Sequence, residues 1–252
     1  MIGLPKDFTD AKKPQLFDGL TESSVQKLLA CSIIQECDAS KILAQQGDIP
    51  EGIYVVIEGA LKTLRLNEDG EEATIRMLQP GDTCMEAVLF MGGPSPISIE
   101  AMTKCKLLII PEKVVKSHVM TDARFAVNIL RVATRHYKNA IHQIDAMQIK
   151  SPLQRIGYYF LTKHLEAGHE NLEFVLPFKK QVIANYLGIT PETFSRALKQ
   201  MRDLGININD DTIRMKDAYA LCHFCDTDTA ALCPKHTDAC SDCPLHSPGK
   251  RG

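Results

Sequence analysis

No apolar run in this chain is long enough to span a bilayer, and no basic start followed by an apolar stretch marks a signal peptide. A cytoplasmic protein with reduced thiols is therefore expected. The chain has no internal repeat and no low-complexity run. It has no large charge excess either: the net charge is -2 at pH 7. That balance leaves a nucleic-acid partner open, because one basic face is enough to bind one. What is present is length. At 252 residues the chain can bury a full core and hold two modest domains. Nine cysteines are present, and five of them lie between Cys222 and Cys243. In a reducing compartment such clustering points to metal or redox chemistry before structural disulfides.

The stretch from Lys180 to Arg202 is the most informative. Val182, Ile183, Ala184 and Leu187 give a first short helix an apolar face. Leu187-Gly188-Ile189 makes a tight turn, where Gly188 can take a positive φ at no steric cost. Thr190-Pro191-Glu192 starts a second helix. Thr190 suits the N-cap, Pro191 the first helical position, and Glu192 the positive end of the dipole. Phe194, Ala197, Leu198 and Met201 recur at the helical period and face the core. Glu192, Ser195, Arg196 and Lys199 remain on the opposite face, which a helix-turn-helix presents to the major groove. An ordinary helical hairpin with a solvated charged face is the alternative.

Upstream the period is different. Thr21 to Ala30 reads as a short helix capped by Thr21, with Val25, Leu28 and Leu29 inward. From Ile33 to Ile110, short apolar runs alternate with turns. The runs are Lys41 to Ala44, Gly52 to Ile57, Leu61 to Leu66, Ala73 to Leu78, Ile97 to Ala101 and Lys106 to Ile110. Gln46-Gly47-Asp48, Glu58-Gly59, Asn67 to Gly70 and Pro80-Gly81-Asp82 separate them, which argues an antiparallel barrel or roll.

Asp122 to Lys150 reads as one long helix. Val127, Leu130, Thr134, Tyr137, Ile141, Ile144 and Gln148 alternate in steps of three and four, the seam of a two-helix coiled coil. An amphipathic helix packed on the roll is the alternative. Pro152 stops or kinks the helix after Ser151, which places a hinge there. Leu153 to Leu165 is a further helix, Phe174 to Pro177 a short strand, and Gly205 to Met215 a β-hairpin around a polar turn.

The segment Pro191-Glu192-Thr193-Phe194-Ser195-Arg196 resembles the recognition helix of CRP/FNR-type transcription regulators, in the Glu-x-x-Ser-Arg form of the FNR branch. The resemblance runs from about residue 16 to about residue 218. Glu86 to Met91 and Lys180 to Arg196 are most similar to nitric-oxide-responsive denitrification regulators. It implies an α+β chain: a cyclic-nucleotide-binding-like β-roll at 16–119, a dimerisation helix at 120–150, and a winged helix-turn-helix at 151–218. It also implies a homodimer, a palindromic double-stranded DNA site with TTGA-type half-sites, RNA polymerase as a partner, and no catalysis. Arg196 and Glu192 are expected to read bases with support from Ser195, and Lys199 and Arg202 to contact phosphates. Nucleotide-binding members hold the phosphate with a Gly-Glu turn and an arginine about ten residues on. Here the turn reads Met85-Glu86-Ala87, and Gly92 to Pro96 has no basic residue. A buried phosphate would lack compensation, so cyclic nucleotide is not expected as the ligand.

Residues 219–252 continue past the family's usual end as a cysteine-rich tail with the spacing C-x2-C-x7-C-x6-C-x2-C. Its last three cysteines, followed by Pro-Leu, resemble the iron–sulfur loop of endonuclease III-type DNA glycosylases. Cys225, Cys233, Cys240 and Cys243 are the expected ligands of a [4Fe–4S] cluster, with Cys222 as a replacement for Cys225. A zinc site, with His223, His236 or His246 substituting, and thiol–disulfide switching are the alternatives. No Cys-x-x-Cys group opens the chain, so cluster ligation by N-terminal cysteines, as in FNR itself, does not carry over. Cys31, Cys37, Cys84 and Cys105 are expected to pack as hydrophobes. The leading function is thus a DNA-binding regulator responsive to redox state, oxygen or nitric oxide. A second reading senses through haem or a small ligand in the roll and makes the tail a structural zinc knob. His136, His142 and His164 are expected to be solvated or packed rather than haem ligands. A thiol–disulfide enzyme using Cys222 and Cys225 ranks last, for want of a βαβ context.

Overall fold

The computed structural model describes residues 13–167, 171–217 and 220–225. The chain divides into two compact units, Met1–Ile141 and His142–Gly252.

In the first unit, α1 (Glu22–Ala30) is capped as its sequence suggests: Thr21 Oγ1 accepts from Ser24 N at 3.2 Å. Eight strands follow: β1 (Ile33–Cys37), β2 (Ile42–Ala44), β3 (Gly52–Glu58), β4 (Leu61–Leu66), β5 (Glu72–Leu78), β6 (Thr83–Cys84), then β7 (Ser98–Ala101) and β8 (Cys105–Pro111) after the short helix α2 (Glu86–Met91). They form two antiparallel sheets in the orders β1-β8-β3-β6 and β2-β7-β4-β5. Two helices complete the unit, α3 (Glu112–Thr121) and the long α4 (Ala123–Ile149).

Strand β3 shows why the roll holds. Ile53, Val55 and Ile57 join one core cluster with Leu28, Leu108, Val115, Phe125 and Ile129. Tyr54 and Val56 point the other way, into a cluster with Leu61, Leu78, Ile99 and Leu107. A strand covered on both faces reads as an unbroken apolar run rather than an alternation. Three cysteines, Cys37, Cys84 and Cys105, are buried in the second cluster, as expected. Cys31 is not: it is the exposed C-cap residue of α1, because helix and strand part there and leave no core around it.

A buried polar knot joins α1, α3 and α4. The Ser24 hydroxyl donates to Asp122 Oδ2 and accepts from His118 Nε2 at 2.6 Å. Asp122 Oδ1 accepts from Arg124 N and Phe125 N at 2.9 and 3.1 Å, capping α4. Serine stands at the centre of this trio. Its proton is committed to the carboxylate, so the histidine cannot act as base toward it, and the group is structural.

In the second unit, α5 (Pro152–Ala167) precedes β9 (Glu173–Val175), α6 (Lys180–Tyr186), α7 (Pro191–Asp203), β10 (Ile206–Asn209) and β11 (Thr212–Met215). The last three strands make an antiparallel sheet in the order β10-β11-β9. The break between α4 and α5 falls where Pro152 puts it, but it is not a loose hinge. Ser151 Oγ accepts from Gln154 N at 3.3 Å, and Gln154 Oε1 accepts from Ser151 N at 2.9 Å. That reciprocal pair is a capping box.

A 3₁₀ turn, Cys222–Phe224, packs on α5. Its Phe224 ring lies against Gly157: a Cβ built there would sit 2.1 Å from the ring. Leu221 and Ala220 beside it are buried. Gly157→Ala should therefore lower stability, since the ring must leave and its burial of about 1.5–3 kcal/mol outweighs the helix gain of ~1 kcal/mol. In a Phe224→Ala background the same change should stabilise by up to about 1 kcal/mol. Thermal unfolding of the four proteins checks this, and one sign in both backgrounds would mean the ring does not lie on Gly157.

Candidate nucleic-acid interface

The pair α6 and α7 forms the expected helix-turn-helix. Ile183, Ala184 and Leu187 bury one face of α6, and Phe194, Ala197 and Met201 one face of α7. Val182 and Leu198 are half-buried beside them. Gly188 adopts φ 64° in the turn. Thr190 caps α7 by accepting from Thr193 N at 3.3 Å, and Pro191 occupies the first turn.

All five residues expected to meet DNA, Glu192, Ser195, Arg196, Lys199 and Arg202, are exposed. The first four lie on the face opposite the buried one. The Arg196 guanidinium is braced by a bond from Nη2 to Thr193 Oγ1 at 3.3 Å. Backbone and Thr190 hydrogen bonds, with help from Arg196, hold the Glu192 carboxyl below the usual range. The helix start thus offers one fixed cation and one fixed anion, four residues apart. Arginine suits guanine O6/N7 and a carboxylate suits cytosine N4, so one G·C pair could engage both. The hairpin β10–β11 stands next in the chain as the wing.

The proposed seam of α4 is also bare. Val127, Leu130, Thr134, Tyr137, Ile141, Ile144 and Gln148 are all exposed. The opposite face of the same helix buries Phe125, Asn128, Ile129 and Val132. The helix thus packs on the roll with one face and leaves the heptad face uncovered.

The roll retains the shape of a ligand turn with altered chemistry. Met85 holds φ 76° at the position where the resemblance expects glycine, and its side chain is buried. Ser95 Oγ reaches Met85 Sδ at 4.0 Å. Glu86 is 1% exposed, and burial raises its pKa. One of its oxygens, Oε1, has no hydrogen-bond partner among the described residues. His136 Nδ1 stands 3.9 Å from the other oxygen, and Arg76 Nη2 donates to His136 Nε2 at 2.8 Å. Burial, then the charge of Arg76, pushes His136 down to about 3, so the imidazole is neutral with Nε2 as acceptor. His136 is therefore packed, as expected of a histidine here. His164 is buried too, its ring 5.7 Å from that of Phe174.

Of the tail cysteines, Cys222 and Cys225 lie half-buried at the two ends of the 3₁₀ turn, where Cys225 N donates to Cys222 O at 3.0 Å. Cys233, Cys240 and Cys243, with His236 and His246, lie outside the described residues. Among the described residues no three metal-ligating side chains come together. No helix among them is long and apolar enough to cross a membrane.

A β-roll followed by a winged helix-turn-helix defines a class of DNA-binding regulators. The cyclic nucleotide-binding domain model matches residues 34–122, and the Crp-like helix-turn-helix domain model matches residues 154–224. The chain belongs to the CRP/FNR family of transcription regulators. An anaerobic regulatory protein of Pasteurella multocida is 27% identical over 187 residues, covering 72% of this chain and 68% of that one. The cyclic AMP receptor protein of Thermus thermophilus is 24% identical over 211 residues, covering 83% and 96%. FixK2 from Bradyrhizobium japonicum shares the fold, with a TM-score of 0.69 at 20% identity, over 77% of this chain and 98% of that structure. These relatives are regulators, and the protein is a DNA-binding transcription regulator rather than an enzyme.

Proposed function

We propose that the protein acts as a homodimer on a palindromic DNA site with TTGA-type half-sites, contacts RNA polymerase there, and reports redox state, oxygen or nitric oxide through its tail. The bare heptad face of α4 supports the dimer. Two half-sites one helical turn apart suit two recognition helices related by a two-fold axis. The names of relatives such as the anaerobic regulatory protein favour a redox signal. Cyclic nucleotide is not the signal in this reading, since buried Met85 stands in the glycine position and Gly92 to Pro96 offers no cation.

The tail carries the sensor in this proposal. Cys222 and Cys225 fit a thiolate site: they sit three residues apart on a turn anchored by Phe224 and remain partly accessible. Cys225, Cys233, Cys240 and Cys243 would hold a [4Fe–4S] cluster, with Cys222 able to replace Cys225. Such a cluster supplies iron that oxygen or nitric oxide can attack. Cys225 continues directly from the packed turn, so order in the tail is linked to the DNA-binding unit, and loss of that order would shift DNA affinity.

Metal and sulfide analysis of anaerobically purified protein tests this. About four irons and four sulfides, lost in Cys233→Ala, are expected. One zinc and no sulfide would leave a structural knob instead. A Soret band in the visible spectrum would move the sensor to haem.

A further inference from the structure

The carbonyls that close the helix-turn-helix turn are held by side chains from two other helices. Arg155, in the first turn of α5, donates from Nη1 to Leu187 O at 3.2 Å and to Gly188 O at 3.5 Å. Its Nη2 donates to Met147 O at 2.6 Å, and its Nε to Lys150 O at 3.0 Å. Gln143, on α4, donates from Nε2 to Tyr186 O at 2.9 Å. The Met147 side chain lies beside the turn, with its Cε 3.2 Å from where a Gly188 Cβ would stand.

Two helix C-termini therefore meet at one guanidinium. Met147 and Lys150 are at the end of α4, and Leu187 and Gly188 follow the end of α6. The last carbonyls of a helix lack intrahelical partners and carry its negative pole. Arginine satisfies both ends because its donors are fixed in a planar fork, whereas lysine offers a point charge with no such geometry. No salt bridge involves Arg155 among the described residues, so these carbonyls are its engagement.

We infer that Arg155, assisted by Gln143, is a positioning residue that fixes the helix-turn-helix turn to the last two turns of α4. Ile144, on the dimer face, belongs to those same turns. The recognition helix then takes its place from the dimer seam through Arg155, not through the Ser151-Pro152 junction alone. Orientation set this way matters only when two recognition helices must reach two half-sites at once. This inference rests on the homodimer proposed above.

The test uses the full chain with Arg155→Lys, Arg155→Met and Gln143→Leu. Affinity is measured for a duplex with two half-sites and for one with a single half-site. The avidity of the wild type is expected to be roughly 10²-fold or more, and each Arg155 variant should lose about tenfold of it. Affinity for the single half-site should stay within about twofold, and light scattering should still report a dimer. Equal losses on both duplexes, or no loss on either, would overturn the inference. So would a shallower salt dependence on the single half-site, which would make Arg155 a phosphate contact. A wild type that is itself monomeric fails the dimer reading first, and light scattering shows that independently of any variant.

Discussion

Ile141→Glu should elute as a monomer and lose roughly 10²–10⁴-fold in affinity for a two-half-site duplex. The reason is where the side chain lies. Ile141 is 46% exposed on a stripe that also exposes Leu130 at 65%, Tyr137 at 68% and Ile144 at 57%. A carboxylate on that stripe costs a single chain little, because water remains around it. Inside an apolar interface between two copies the same carboxylate would be desolvated without a partner. The roll packs against the other face of α4 through Phe125, Ile129 and Val132, which the change does not touch. Thermal stability of the isolated chain should therefore hold while association fails. A dimer that persists by light scattering would place the interface elsewhere.

Arg196→Ala should cost about 1–3 kcal/mol in binding and relax specificity at one base position. Arg196 lies exposed on the outer face of α7, and the Thr193 hydroxyl bond limits its wandering. A pre-oriented guanidinium loses less freedom on engaging guanine, which is why truncation should be felt in discrimination as well as affinity. Lys199→Ala and Arg202→Ala should behave differently. Each should lower the salt slope by about one and leave base preference unchanged. A mismatch series that looks the same for wild type and Arg196→Ala would remove Arg196 from base reading.

Where local chemistry decided the outcome, the sequence was sufficient. Thr190, Pro191 and Gly188 fix the helix-turn-helix by cap, first-turn φ and turn φ, and the structure has all three. The turn signals between strands located most of the roll. Helix α3 escaped notice because β8 runs straight into it, with only Pro111 between the two periods. Strand β6 is two residues long and has no period to detect. The capping box at Ser151 and Gln154 was legible and would have shown a built junction in place of a hinge. Arg155 and Gln143 were not legible. A side chain that binds distant carbonyls leaves no spacing in the sequence. Cys31 misled for a related reason: composition favours burial of cysteine, but only the surroundings decide it.

The glycine at 157 and the ring of Phe224 bear on any attempt to shorten the chain. A helix interior with glycine gives up intrinsic stability, and here it does so to make room for a residue far along the sequence. Cutting the chain after Lys216 would take away Leu221 and Phe224 and leave a glycine-floored groove on α5 open to water. Exposed apolar grooves of that kind promote self-association. The turn that leads into the tail is thus part of the core of the winged helix, and trimmed versions meant to isolate DNA binding should keep it.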